Sequence, residues 1–376
     1  MDPAQLLAVV DALKERTVAV VGDIVADEFV YGRVARVSRE APVLILEYDS
    51  TEVVPGAGGN AANNVAALGG RAILAGVVGR DEPARRLAAA LNKRVDSRSV
   101  VRVARHHTPV KTRILAGGIH SAKQQVVRID RGVANGFDER TRQAFERQAI
   151  AACAGADAVL VSDYGSGLVT PALVRRLRSA VDEDGLVPVL IDTRHRLLDY
   201  RGLTACTPNE SEVEQALGIR INDNPRVLER AGRELLERTR MRAVLITRGS
   251  RGMALFVTKT PTLHIPIYGS DEIADVTGAG DTVIGAMALA LAAGATFELA
   301  ARLANYAGGL VVMKRGTATV SSAELAAAIR ADRADDPRGR SSDRPGRSRV
   351  RGPGSSAFAK ATADKLDPGK RAPRRG

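Results

Sequence analysis

The chain has 376 residues, 45% of them apolar but only 3% aromatic and none of them Trp, which is enough to build one large core or two small ones while arguing against base-stacking platforms for nucleic acid. Two distant cysteines, Cys153 and Cys206, supply neither a disulfide framework nor a zinc site. The net charge of +12 is lopsided, because residues 331–376 hold thirteen Lys or Arg against six Asp or Glu and so account for +7 of it.

Residues 1–14 read as an amphipathic helix with Leu6, Leu7, Val10 and Leu13 on one face rather than as a signal peptide. A cytoplasmic protein is therefore expected, and no apolar run is long enough for a membrane span. Apolar β-rich runs follow at 17–21, 73–78, 158–161, 188–191, 205–207 and 243–247, with helix-length segments between them. This alternation predicts an α/β fold, a doubly wound and mainly parallel sheet covered by helices on both faces. Stretches within 28–52 and 100–130 instead alternate polar and apolar residues, as half-exposed strands do, and predict a small accessory sheet near the strand ends where such folds bind ligands. Helices are expected at 282–292, 298–313 and 322–331. Residues 1–330 then form one domain. The remainder, 331–376, is rich in Arg, Ser, Gly, Pro and Asp, and is expected to be a disordered basic tail whose only nucleic-acid role is weak polyanion binding.

The most specific string is Asp275-Val276-Thr277-Gly278-Ala279-Gly280-Asp281, running into an apolar helix. Small residues let the backbone approach a ligand, and a helix start offers unpaired N–H groups and a positive dipole end, which together suit a phosphate. Asp281 beside that phosphate could accept a proton from an attacking hydroxyl, or it could simply cap a Gly-rich turn. A second string, Gly58-Gly59-Asn60 through Asn64, places two amides four residues apart on one helical face, suited to sugar hydroxyls. Asp23 and Asp27 follow the first apolar strand. No phosphate-binding string of the Walker type occurs, and the five histidines have no metal or triad spacing.

Together, residues 275–287 and 55–64 resemble the two signature motifs of the ribokinase and phosphofructokinase-B superfamily of carbohydrate kinases. The resemblance implies a ribokinase-like three-layer sandwich with a β-sheet lid, ATP and Mg²⁺ as cofactors, and Asp281 as general base with the amides of Gly278, Ala279 and Gly280 as anion hole. It implies that Asp23, with Asp27 second, binds acceptor hydroxyls alongside Gly58, Gly59, Asn60 and Asn64. On the nucleotide side it implies contacts from Asn209, Thr247, Gly249, Gly252 and Asn305, and Glu212 ordering the magnesium. A monovalent cation and a homodimer through the lid are further expectations from the family.

Within that superfamily, residues 36–43, 111–113 and 124–130 resemble the kinase domain of bacterial D-glycero-β-D-manno-heptose-7-phosphate kinases. That implies phosphorylation of the anomeric hydroxyl of the heptose 7-phosphate, with Lys111, Arg113, Arg128, Asp163 and Asp192 at the acceptor. No His-x-Gly-His string of the nucleotidyltransferase half of bifunctional relatives is found, so adenylylation is expected elsewhere. One departure stands out: Ser166 occupies a position where Lys is expected, which keeps open a kinase for an unphosphorylated sugar or nucleoside. A catalytically silent sugar- or nucleotide-binding protein is a further alternative, opposed by intact Asp281 and Glu212.

Overall fold

The computed structural model describes residues 2–117, 123–132, 136–181, 186–269, 276–314 and 316–335, with side chains as far as 332. The chain opens with α1 (Pro3–Ala12), capped by the Asp2 side chain, then β1 (Thr17–Gly22) and two long strands, β2 (Ile24–Val37) and β3 (Leu44–Ala57). It continues through α2 (Gly58–Ala67), β4 (Arg71–Gly79), α3 (Glu82–Ala90), β5 (Val95–Asp96) and β6 (Val100–Val103) to β7 (Val110–Gly117) and β8 (Gln124–Arg131). A regular alternation follows: α4 (Glu139–Cys153), β9 (Ala158–Asp163), α5 (Pro171–Val181), β10 (Val189–Thr193), β11 (Ala205–Cys206), α6 (Glu210–Leu217), α7 (Pro225–Thr239) and β12 (Ala243–Thr247). The described part ends with β13 (Met253–Val257), β14 (Leu263–Ile265), α8 (Ala279–Ala292), α9 (Phe297–Val312) and α10 (Ser322–Asp335).

The main sheet runs β14-β13-β12-β11-β10-β9-β1-β4-β5, with β6 also on β4. It is parallel from β12 across to β5 and β6, while β13 and β14 add an antiparallel edge. Alternation along each strand builds the two cores. Val18 and Val20 of β1, Leu160 of β9 and Leu245 of β12 pack with α2, α8 and α9 on one face. Ala19, Val21, Val161 and Ile246 pack with α4, α5 and α7 on the other. This is a three-layer α/β sandwich. Each fully buried Leu or Val contributes about 1.5–3 kcal/mol, so emptying one such position, Leu160→Ala, costs about 2–5 kcal/mol.

A second sheet has the order β3-β2-β7-β8. Its extent differs from the sequence expectation at both ends. β2 begins at Ile24, directly after β1, and β3 runs to Ala57, because the proximal halves of both strands are buried against the body and lack the alternation that marks a half-exposed strand. Val100–Val103 does not join this sheet at all, since it pairs in parallel with Gly76–Gly79 of β4. The distal half of β2 and the whole of β8 are exposed. α10 continues past residue 331 to Asp335; residues 336–376, on which most of the expected tail falls, lie outside the described residues. Among the described residues, no helix is long and apolar enough to cross a membrane.

Candidate active site

α8 is apolar almost all round and buried from Asp281 to Ala290, while Gly280 in its first turn is exposed. Gly278 caps it in the left-handed conformation, φ +77°, and a Cβ there would sit 2.6 Å from Asn60 Nδ2, so both backbone shape and space demand glycine. The Ala279 amide donates to Val276 O at 3.2 Å. The amides of Gly280 and Asp281 fall in the first turn, where no helical carbonyl is available to them. A Cβ built on Gly280 meets nothing within 4 Å, which leaves an open cradle at the positive end of the helix. Asp275 lies outside the described residues.

Asp281 is buried, and its two carboxylate oxygens have separate partners. Asn60 Nδ2 donates to Oδ2 at 2.8 Å, and Tyr164 Oη donates to Oδ1 at 2.9 Å. Burial pushes the Asp281 carboxyl up to about 6, against the pull of those two donors and of Arg194. Asn60 also reaches Gly278 O, at 3.3 Å. Asn64 donates to the backbone and side-chain oxygens of Asn60, both at 3.0 Å, and accepts from Thr282 Oγ1 at 2.9 Å. The two asparagines expected at the acceptor thus form a buried chain that orients the carboxylate.

On one side of Asp281 lies a cavity of about 420 Å³. Asn209, Glu212, Thr247, Gly249, Gly252 and Asn305, the six residues expected on the nucleotide side, all line it, as do Gly278 to Asp281. Asp192 lines it too, and therefore sits on this side of the base. Burial, with the neighbouring Asp281 charge, pushes Asp192 up to about 8. Asn209 and Glu212 form a capping box on α6, each side chain accepting the other's backbone N–H at 2.9 Å. Asn305 donates to Pro266 O at 2.9 Å. Thr207, also in the lining, keeps a buried hydroxyl with no protein partner, a polar atom suited to a ligand. The cavity, its glycine cradle and the orphaned hydroxyl fit a nucleoside triphosphate. Among the described residues no cluster of three or more His, Cys, Asp or Glu could hold a metal alone, so Glu212 and Asp192 fit Mg²⁺ only in the manner usual for that ion, with phosphates and water completing the shell.

On the other side are the residues expected at the acceptor. Asp23 is the single residue between β1 and β2, and it accepts from the Tyr164 amide at 2.7 Å and from the Ser166 hydroxyl. Burial raises its carboxyl above the usual range. Asp27 and Arg113, on neighbouring lid strands, form a largely buried ion pair of 2.5 Å, with the Arg113 guanidinium 5.5 Å from the Phe29 ring centroid. Lys111 lies two residues before Arg113; its ammonium is 5.0 Å from the Tyr164 ring centroid, and burial lowers its pKa. Gly58 and Gly59 open α2 where the chain folds tightly: the Gly58 amide donates to Asp23 O at 2.9 Å. Besides Asp192, two expected residues are not in this group. Arg128 is on the exposed strand β8 and pairs with Asp130 at 2.9 Å. Asp163 is turned inward, accepting from Tyr200 at 2.6 Å and Thr193 at 3.0 Å.

The sequence assigns no role to Tyr164 or Thr207. The only sequence signal for Tyr164 is its place between a strand-end Asp and two glycines.

A family model described as pfkB family carbohydrate kinase matches residues 16–324. The chain belongs to that family. It is 41% identical over 312 residues to the bifunctional protein HldE of Geobacter metallireducens, covering 81% of this chain and 61% of the relative. Over 325 residues it is likewise 41% identical to HldE of Caulobacter vibrioides, covering 84% and 64% respectively. The chain thus spans about three-fifths of the length of these relatives. Solved structures share the pfkB-family fold at low identity. Ribokinase of Arabidopsis thaliana complexed with ribose and ATP aligns with a TM-score of 0.63 at 21% identity, over 84% of this chain and 98% of that one. Phosphofructokinase-2 of Escherichia coli in complex with fructose-6-phosphate aligns with 0.64 at 17%, over the same shares.

Proposed function

We propose that this carbohydrate kinase transfers the γ-phosphoryl group of ATP to the anomeric hydroxyl of D-glycero-β-D-manno-heptose 7-phosphate, giving the 1,7-bisphosphate. The observation that carries the reaction type is the position of Asp281: a buried carboxylate at a helix start, with a nucleotide-sized cavity on one side and carboxylates and cations of the lid on the other. In this reading Asp281 takes the proton of the acceptor hydroxyl as the new O–P bond forms and the bond from the γ-phosphorus to the ADP oxygen breaks. The first-turn amides of Gly280 and Asp281 receive charge on the transferring group. Asn60 and Asn64 hold the base rather than the sugar, and Asp23 takes acceptor hydroxyls. Mg²⁺, when bound near Glu212 and Asp192, supplies neutralisation of phosphate charge.

The acceptor assignment rests on the HldE relatives and on Lys111, a cation 5.0 Å from the Tyr164 ring centroid that suits a phosphorylated sugar. One observation favours a second reading, a kinase for an unphosphorylated sugar or nucleoside: Ser166, where Lys is expected, contributes a hydroxyl to Asp23 and no charge. An ADP-release assay over heptose 7-phosphate, unphosphorylated sugars and nucleosides, with and without potassium, separates the two. Heptose-phosphate turnover abolished in Asp281→Asn supports the first; preference for an uncharged acceptor selects the second.

We further propose that two copies pair through the lid, where Val37, Leu44, Tyr48, Val127 and Ile129 are exposed. Light scattering should give twice the chain mass, and Val127→Asp with Ile129→Asp should halve it.

A further inference from the structure

The loop after β9 is held from several directions. Gly165 and Gly167 adopt φ of +87° and +79°, a region closed to most side chains. The Gly165 amide donates to Asp163 Oδ1 at 3.1 Å, and Asp163 is itself fixed by Tyr200 and Thr193. Between these anchors the Tyr164 amide donates to Asp23 Oδ2 at 2.7 Å, while its hydroxyl crosses the site to donate to Asp281 Oδ1 at 2.9 Å. One residue therefore joins the carboxylate in line for the acceptor to the carboxylate in line for its proton. The Arg194 guanidinium stands 4.6 Å and the Lys111 ammonium 5.0 Å from the Tyr164 ring centroid, so the ring is packed among cations as well as hydrogen-bonded at its tip.

We propose that Tyr164 is a positioning residue for the kinase reaction, its hydroxyl fixing the carboxylate of Asp281 and keeping it ionised so that it can receive the acceptor's proton. This rests on the reading of Asp281 as base. A carboxylate oxygen can accept more than one hydrogen bond, so the two donors on Asp281 still leave lone pairs for an acceptor hydroxyl. They fix the plane of the carboxylate beforehand, which is where much of the rate in phosphoryl transfer originates. Among charged groups, Arg194 favours the ionised form of Asp281 and Asp27 opposes it, while the carboxyl of nearby Asp192 is itself raised by burial and by the Asp281 charge. Tyr164 works with Arg194. Burial and the adjacent Asp281 charge hold its phenol well above the ordinary value, so it stays protonated and remains a donor throughout the working pH range.

Two measurements on the full chain test this. The first needs no turnover. The protein has six tyrosines, so tyrosine labelled with ¹³C at the ring carbon bearing the hydroxyl gives few signals, and Tyr164→Phe identifies the one that belongs to Tyr164. That signal should titrate with a midpoint near 6, the value to which Asp281 is pushed, and the step should vanish in Asp281→Asn. A Tyr164 signal with no step, or with the same step in Asp281→Asn, overturns the proposal. The second is the pH profile of turnover with the acceptor that the substrate panel selects. Tyr164→Phe keeps the ring among its cations and removes only the hydroxyl, so the acid limb should move up by about one pH unit and kcat should fall about tenfold, with KM for ATP little changed. An unmoved limb in an active Tyr164→Phe enzyme sinks the proposal. Failure of the underlying reading looks different, because Asp281→Asn would then keep its activity, whereas failure of the role of Tyr164 leaves Asp281→Asn inactive and Tyr164→Phe titrating like the wild type.

Discussion

The two sides of Asp281 are built differently. On the nucleotide side the expected residues line an open cavity, and they come from the main sheet and the helices on it: Asn209 at the cap of α6, Thr247 at the end of β12, Asn305 in the middle of α9. On the acceptor side the polar groups are already matched with one another, Asp27 with Arg113, Asp23 with Ser166 and Tyr164, Asn60 with Asp281. The nucleotide side is a preformed receptacle. In the proposed reading the acceptor side is a set of internal bonds that a sugar exchanges for its own, so selectivity there depends on how well the incoming hydroxyls and charge replace what they displace.

If Asp281 is the divide between these regions, Asp281→Asn should have the largest effect of any single change, a loss of about 10²–10⁴-fold in kcat in the ADP-release assay. The same substitution should not destabilise the fold. Asp281, Asp192 and Asp23 all have carboxyls raised by burial, so the native state binds more protons than the unfolded chain above the ordinary carboxylate range. Stability from these groups is therefore greatest at the acid end and is lost as pH rises through about 6 for Asp281 and about 8 for Asp192. Removing one such charge with an isosteric amide should raise Tm by about 1–3 °C at pH 8, read by scanning calorimetry. Activity has the opposite sign: kcat/KM should fall as pH drops through about 6, because the base must be ionised.

The next largest effect is expected on the acceptor side alone. Arg113→Met leaves Asp27 buried without its partner, and kcat/KM for the acceptor should fall about 10–100-fold while KM for ATP stays within about twofold; a change of equal size in both would mean that the two regions are not separable. Ser166→Lys restores a charge beside Asp23, and it should raise the preference for a phosphorylated over an unphosphorylated acceptor by about tenfold. The smallest effect should come from deleting residues 336–376: turnover within about twofold of the full chain, and any salt-sensitive binding to DNA lost.

Much of the sandwich could be read from the chain because its strands are near-continuous apolar runs that need no partner to be recognised, as Val18–Val21 shows. The lid was legible only where its strands alternate. Its buried roots, Ile24–Ala26 and Gly56–Ala57, do not alternate and fall outside the stretches expected for the lid, and Val100–Val103 lies within such a stretch yet pairs with β4. The Asp281 string was legible for a similar reason, since backbone shape and a cradle demand glycine at fixed positions in sequence. What the chain could not reveal is pairing through space. Asn60 and Asp281 stand 221 residues apart, Tyr164 and Asp281 117 apart, and no spacing rule links residues at such distances.

One feature of the backbone gives the site a mechanical character. β1 of the main sheet passes into β2 of the lid through Asp23 alone, so the two sheets are joined by a single residue. That residue's amide donates to Ser162 O at 3.0 Å and its carboxylate accepts from the Tyr164 amide, so it is tied to the body while the strand that follows it belongs to the lid. The contact proposed to grip the acceptor is thus also the point where the lid is rooted in the body.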